Sequence, residues 1–141
     1  MTGARQRERS YGSLTLPAPA RLTPQRRAVL EAIEASNGRF TALELFDRAR
    51  RSSPRLGLAT TYRTLELLRR TGSLHALSGD GRPAYVRCSP KHHHHLVCLS
   101  CGSVEDTELC ATPSQRALSQ RHGFRAESHE LEIYGTCKRC S

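Results

Sequence analysis

Residues 88–101 read CSPKHHHHLVCLSC, and this stretch separates two parts of the chain that differ in character. It ends in a C-x-x-C pair, and a second such pair lies at residues 137–140. Two C-x-x-C pairs that meet in space supply four thiolates, the tetrahedral ligand set that structural zinc prefers. A thioredoxin-like redox motif would instead use a single pair within a βαβ unit. The spacing therefore predicts a structural zinc site formed by Cys98, Cys101, Cys137 and Cys140.

The four consecutive histidines predict metal ligands of a second kind. In an extended chain, successive side chains point to opposite sides, so His93 and His95 share one side. Two more ligands would complete a tetrahedron around an ion bound there. Cys88 lies just upstream, and His75 lies on a predicted neighbouring strand. We predict a regulatory metal site at His75, Cys88, His93 and His95, straddling the two halves of the chain.

The other two histidines of the run point the opposite way, toward the C-terminal half. His129 is the nearest candidate there by residue type. The sequence thus predicts a possible third metal site at His92, His94 and His129. Two or three zinc ions per subunit follow from these patterns.

Composition and charge favour nucleic acid as the partner. The 141 residues include 22 Lys and Arg against 13 Asp and Glu, a formal net charge of +9 that attracts polyanions. Hydrophobic residues are 37%, so two small domains would have thin cores that metal ions would reinforce. The sequence contains no membrane-length apolar run and no signal-peptide core, so we expect a cytoplasmic protein without a membrane partner. In that compartment, cysteines are metal ligands or redox thiols more often than disulfides.

The first half of the chain predicts a winged helix. Residues 1–20 are basic with little periodicity, which indicates a flexible basic arm. Within residues 21–87, capping and stop signals predict three helices, and strands over 74–77 and 84–87 flank a glycine-containing turn. Three helices followed by a hairpin form a winged helix, a DNA-binding arrangement.

The third helix is predicted to begin at Thr60 or Thr61 and to read DNA. Hydroxyls, a phenol and a guanidinium at a helix N-terminus suit contacts to phosphates and to a guanine edge. A solvated helix face with a packed tyrosine is the ordinary alternative, and the positive charge with the helical layout favours recognition. An arginine at the hairpin tip can enter a minor groove, although exposed loop arginines are common. The predicted DNA-contacting residues are Thr60, Thr61, Tyr62, Arg63 and Arg82.

The second half, residues 97–141, predicts a small α/β domain joined through a hinge and ligand segment at 88–96. A strand over 103–107, a short helix over 113–122 and a strand over the alternating residues 124–134 follow the cysteine pair. The open edges of so small a sheet favour pairing with a second copy, so we expect a homodimer. The fold class predicted for the whole chain is α+β.

Several motifs together resemble the ferric uptake regulator family over about residues 20–141. They are LTPQR at 22–26, GLATTYRTL at 57–65, HHHHLVCLSCG at 92–102 and the final C-x-x-C. The resemblance implies a dimeric, metal-responsive repressor with an N-terminal winged helix and a C-terminal dimerisation domain that carries a four-cysteine zinc site. Cys88 resembles the regulatory cysteine of the zinc-sensing branch. That branch implies repression of zinc-acquisition genes through palindromic double-stranded operators, with no small-molecule substrate and no enzymatic activity.

The chain departs from the family pattern at three places. Zinc-sensing members often have an aspartate where this chain has His75. The loop at 37–40 lacks the histidine that iron, manganese and peroxide sensors usually take from it, which counts against those signals. The family's additional site uses two histidines of the run, a glutamate and a late histidine, and His92, His94 and His129 match that pattern. The place of the glutamate falls near Thr112, so in this chain the site is weakened, recruits Cys110 or Glu108, or is absent.

Alternative functions stay open. The same family includes regulators that respond to iron, manganese, nickel or peroxide. A thiol redox switch would use Cys88 or Cys110 as an exposed, low-pKa thiol. A zinc hydrolase would need an open metal site beside a general base such as Glu105 or Asp106, and the sequence has no H-E-x-x-H motif.

Overall fold

The computed structural model describes residues 9–11, 14–77, 83–88 and 92–141. The described residues form α+β secondary structure, as predicted. In chain order, the helices and strands are β1 (Arg9–Tyr11), β2 (Leu14–Leu16), α1 (Pro24–Glu34), α2 (Ala42–Arg50), α3 (Leu58–Arg70), β3 (Leu74–Leu77), β4 (Ala84–Arg87), β5 (His94–Cys98), β6 (Val104–Thr107), α4 (Gln115–His122) and β7 (Glu132–Gly135). None of the helices in the described ranges is long and apolar enough to cross a membrane.

The chain divides into two compact units, Met1–Pro90 and Lys91–Ser141. The boundary falls within the predicted hinge at 88–96. However, β5 begins at His94, so the last part of that predicted hinge belongs to a strand.

Local capping signals start the first two helices where the sequence predicts them. Thr23 accepts a hydrogen bond from the backbone N–H of Arg26, and Pro24 occupies the first turn of α1. Thr41 and Glu44 form the predicted capping box of α2, with bonds of 3.1 and 2.9 Å. α3 starts at Leu58, earlier than predicted, because Gly57 serves as its N-cap without a side-chain hydrogen bond.

The first unit is built on one hydrophobic core. Leucines and other apolar residues of α1, α2 and α3 pack with residues of β2 and β3. Its fully buried members include Leu30, Ile33, Leu45, Leu65 and Leu68. The helices thereby present their remaining faces to solvent, which leaves one side of α3 available for binding.

Part of the predicted flexible arm over residues 1–20 is instead packed in the core, whereas residues 1–8 and 12–13 lie outside the described residues. β2 pairs antiparallel with β1, and both Leu14 and Leu16 are 1% exposed within the core. Ser73 Oγ accepts from Thr15 N–H at 2.9 Å, and Thr71 Oγ1 donates to the Thr15 carbonyl at 2.8 Å. The alternating leucines form a period-2 signal too short to recognise in the sequence, and their burial anchors the segment.

The predicted hairpin of the winged helix is confirmed. β3 and β4 pair antiparallel, with His75 opposite Val86. Side chains alternate along each strand, so the register puts His75 on the same face as Val86 and the following Cys88. The turn with Arg82, the predicted minor-groove contact, lies outside the described residues.

The second unit contains a three-stranded sheet in the order β6-β5-β7. β5 pairs antiparallel with β6 and parallel with β7. The strand predicted over 124–134 is shorter than expected, because only β7 pairs with the sheet and residues 124–131 have no regular structure. Among residues 92–141, the buried side chains are His94, His95, Val97 and Cys98, all on β5. Burial of apolar surface therefore contributes little to the stability of this unit.

Candidate metal centres and nucleic-acid interface

The four cysteines of the two C-x-x-C pairs meet at one end of β5. Parallel pairing of Cys98 with Gly135 brings the turn that follows β7 beside the turn that follows β5. The Sγ atoms of Cys98, Cys101, Cys137 and Cys140 all lie within 4.8 Å of one another. The Cys101 and Cys137 sulfurs are 3.7 Å apart. Zn–S bonds of about 2.3 Å put two sulfurs of a tetrahedron about 3.8 Å apart, whereas a disulfide bond is about 2.05 Å long.

The pKa shifts of these thiols follow from their close contacts. Backbone N–H groups, first of Cys101 and then of Cys137, donate to the Cys98 sulfur and lower its pKa to about 6. Side-chain hydrogen bonding with Cys137 and Cys101 raises the pKa of Cys140 to about 12. Four thiolates at this spacing would repel one another without a cation between them, and the all-sulfur ligand set suits zinc.

The histidine run alternates as predicted. The rings of His92 and His94 are 4.6 Å apart, and those of His93 and His95 are 4.9 Å apart. Consecutive histidines thus form two separate pairs. The pairing agrees with the predicted alternation, and metal binding by each pair stays a prediction.

Asp106 positions one predicted regulatory ligand, a role that is not predicted from the sequence. It lies opposite His95 across the β5–β6 pair, and its Oδ1 is 3.0 Å from His95 Nδ1. A carboxylate on one ring nitrogen fixes the orientation of the imidazole and leaves the other nitrogen for a metal. The pairing of Asp106 with His95 can be predicted only when the strand register is known. The sequence by itself shows only an acidic residue on a predicted strand.

The predicted regulatory ligands are supplied by both units. His75 and Cys88 share a face of the β3–β4 hairpin in the first unit, where Cys88 N–H donates to the Ser73 carbonyl at 3.0 Å. His93 and His95 form their pair in the second unit. The complete set of four ligands stays a prediction.

The other histidine pair belongs to a larger cluster. Donor atoms of His92, His94, Cys110 and His129 all lie within 4.8 Å of one another. Of the two additional ligands considered from the sequence, Cys110 joins this cluster and Glu108 does not. Hydrogen bonds from the Thr112 hydroxyl and backbone, followed by bonds with His92 and His94, lower the pKa of the Cys110 thiol to about 5.

The predicted DNA-reading helix presents part of the expected set. Tyr62 is 47% exposed, Arg63 is exposed and Thr60 is partly exposed. Thr61, however, is fully buried, and its hydroxyl donates to the Gly57 carbonyl at 3.2 Å. Thr61 is therefore wrong as a DNA contact, because position 61 points into the core.

A groove of about 820 Å³ lies between α3 and residues 17–21. Its lining among the described residues includes Arg21, Arg26, Arg63 and Arg70. Guanidinium groups grouped in this way favour phosphate oxygens. Arg21 and Arg26 are not among the DNA contacts predicted from the sequence, because nothing local to residues 17–26 indicates that they lie beside α3.

Comparisons with known proteins agree with this architecture. The model of the ferric uptake regulator family matches residues 18–134. The zinc uptake regulation protein of Mycobacterium tuberculosis (strain ATCC 25618 / H37Rv) is 42% identical over 127 residues, covering 87% of this chain and 96% of that protein. The ferric uptake regulation protein of Bacillus subtilis (strain 168) is 34% identical over 127 residues, covering 86% and 85%. A solved zinc uptake regulator complexed with zinc and DNA has a TM-score of 0.66 and 28% identity, covering 87% and 85%.

Proposed function

Because the chain belongs to the ferric uptake regulator family, a family of metal-responsive transcription regulators rather than enzymes, we propose that it is a zinc-responsive repressor. In this proposal, a homodimer binds palindromic operators of metal-uptake genes. The 42% identity to a zinc uptake regulation protein is the observation that carries the choice of zinc. The chemistry of Cys88 agrees with it, since a thiolate combined with imidazoles favours zinc over iron(II) or manganese.

The two proposed zinc sites have different tasks. The four-cysteine cluster would hold a structural ion that ties the turn after β5 to the turn after β7. Zinc sites of this type contribute about 10–16 kcal/mol of apparent binding free energy, which is comparable to the whole stability of a domain. His75, Cys88, His93 and His95 would form the regulatory site, with Asp106 orienting His95.

When bound at the regulatory site, zinc would stabilise the DNA-binding arrangement of the dimer over other arrangements. A shift from 1:99 to 99:1 requires about 5.5 kcal/mol of differential affinity, well within the range of a cysteine-containing zinc site. Thr60, Tyr62 and Arg63 on α3 would then contact bases and phosphates in the major groove. Arg21, Arg26 and Arg70 would add phosphate contacts from the same groove.

The test is operator binding measured during titration of buffered free zinc, with iron(II), manganese and nickel in parallel. Cys88→Ser should abolish the zinc response while one zinc per chain is retained in the four-cysteine cluster. Glu105→Gln is a control variant that should keep the zinc response. Glu105 lies on β6 next to Asp106, and its side chain points to the opposite face of the sheet from Asp106 and His95. If operator binding does not depend on zinc but depends on iron(II), manganese or nickel, that metal is the signal instead of zinc. If operator binding depends on none of these metals, metal control is refuted.

A further inference from the structure

Two irregular segments of the second unit have no core to hold them. Residues 108–114 and 124–131 contain no buried side chain, and α4 between them has none either. Both segments nevertheless converge on the start of β5. Cys110 and Thr112 come from the first segment, and His129 comes from the second. A polar cluster, rather than apolar packing, joins the segments at this point.

The distances within this cluster match the edges of a tetrahedral metal site. Cys110 Sγ is 3.4 Å from His129 Nε2, and His92 Nε2 is 3.1 Å from His94 Nε2. With Zn–N bonds of about 2.05 Å and Zn–S bonds of about 2.3 Å, tetrahedral geometry gives edges of about 3.6 Å for S···N and about 3.3 Å for N···N. The rings of His92 and His94 also lie 4.7 and 5.1 Å from the ring of His129.

Burial supports a ligand at this point. His94 is only 1% exposed, and its Nδ1 atom has no hydrogen-bond partner among the described residues. A buried imidazole nitrogen without a partner costs free energy. The other nitrogen, Nε2, faces His92 Nε2 at 3.1 Å, and its coordination to a metal would offset that cost.

We propose that the Cys110 thiolate is the fourth ligand of a metal site with His92, His94 and His129, in the place where the family pattern has a glutamate. One thiolate and three imidazoles select borderline or soft ions with tetrahedral preference, zinc first and cobalt(II) or cadmium as substitutes, over magnesium or manganese. Thr112 is a positioning residue, because its hydroxyl lies 2.9 Å from the Cys110 sulfur. The new element is this thiolate ligand, which goes beyond the proposed repressor function and is independent of which metal controls DNA binding.

The position of the site gives it a structural task. The four-cysteine cluster lies at the Cys98 end of β5, and this second cluster lies at the His94 end. Ions at both ends would fix the central strand and would hold residues 108–131 against it. Loss of the second ion should therefore loosen residues 108–131 while leaving the four-cysteine site intact.

Cobalt(II) substitution tests the proposal in the full chain. The protein is prepared with zinc retained in the four-cysteine cluster, in a Cys88→Ser background, so that Cys110 is the one remaining thiol outside that cluster. Cobalt(II) should then produce the visible bands of a tetrahedral ion and a near-ultraviolet sulfur-to-cobalt charge-transfer band. Adding Cys110→Ser should remove the charge-transfer band and weaken cobalt binding at this site by at least about 10-fold, since even outer-shell changes cost about that much.

Two further variants make the outcome decisive. Glu108 lies two residues from Cys110 and outside the cluster, so Glu108→Gln should leave the visible bands and the charge-transfer band unchanged. Cys110→His keeps four ligands and should bind tetrahedral cobalt(II) without the charge-transfer band, which covers the case in which Cys110→Ser does not fold. A charge-transfer band that survives Cys110→Ser, or cobalt binding that depends on Glu108, would overturn the proposal. These readouts do not involve DNA, so they are separate from a failure of the proposed repressor function.

Discussion

The N-terminal strand β2 should be a structural part of the winged helix, and Leu16→Ala tests this directly. Leu16 is 1% exposed in the hydrophobic core. Truncation to alanine removes about three buried carbon groups at about 0.8 kcal/mol each, or about 2.4 kcal/mol. The remaining cavity raises the expected loss of unfolding free energy to about 3–5 kcal/mol.

Urea unfolding followed by circular dichroism measures this loss, at fixed protein concentration and fixed free zinc because both influence apparent stability. With a slope of about 2 kcal/mol per molar urea, the midpoint should fall by about 1.5–2.5 M. Leu43→Ala is the matched control, since Leu43 lies on α2 in the same unit, is 58% exposed, and the same truncation there should cost less than about 0.5 kcal/mol.

A truncated chain that lacks residues 1–16 should lose more stability than Leu16→Ala, because Leu14 is removed as well. If Leu16→Ala behaves like Leu43→Ala, or the truncated chain keeps the stability of the full chain, then the assignment of β2 to the core is refuted. A confirmed result would also explain how residues 17–21 are held beside α3, since they continue directly from β2.

The other predictions concern the metal sites and the DNA-facing groove. Cys137→Ser should release the structural zinc and abolish cooperative unfolding of the second unit, as followed by zinc analysis and hydrogen exchange; a folded variant with full zinc content would contradict the four-cysteine site. Asp106→Asn should weaken regulatory zinc binding by about 10–100-fold in competition with a chelator, whereas Glu105→Gln should not. Arg63→Ala should cost about 1–3 kcal/mol of operator-binding free energy and reduce sequence preference. Arg21→Ala should weaken binding to all DNA sequences and lower the slope of log affinity against log salt concentration by about 1. If Arg63→Ala weakens binding to operator and random DNA equally, Arg63 is not a base contact.

Much of the fold follows from short-range signals in the sequence. The Thr23 and Thr41 caps begin α1 and α2 where predicted, and the hairpin strands β3 and β4 have the predicted bounds. Gly123 ends α4 with φ of 60°, the left-handed conformation that glycine adopts readily. These features depend on residues within about one turn of one another, so no tertiary contact is needed to predict them.

The candidate sites divide in the same way. Alternation in an extended chain predicts the two histidine pairs, and the C-x-x-C spacing predicts the four-cysteine cluster, because neighbouring residues control both patterns. The burial of Thr61 depends on the packing of α3, which local spacing near its first turn does not reveal.

Sequence alone determined the residue types and local geometry of this protein: which side chains can bind a metal, where helices begin, and that the chain carries a strong positive charge. Tertiary structure decided which residues contact one another. The pairing of Asp106 with His95 needs the β5–β6 register, the choice of Cys110 over Glu108 depends on the path of an irregular segment, and Arg21 reaches the groove because β2 is anchored in the core. Each of these contacts joins residues far apart in the chain, and their proximity depends on the free energy of packing and pairing across the whole unit rather than on the preferences of neighbouring residues.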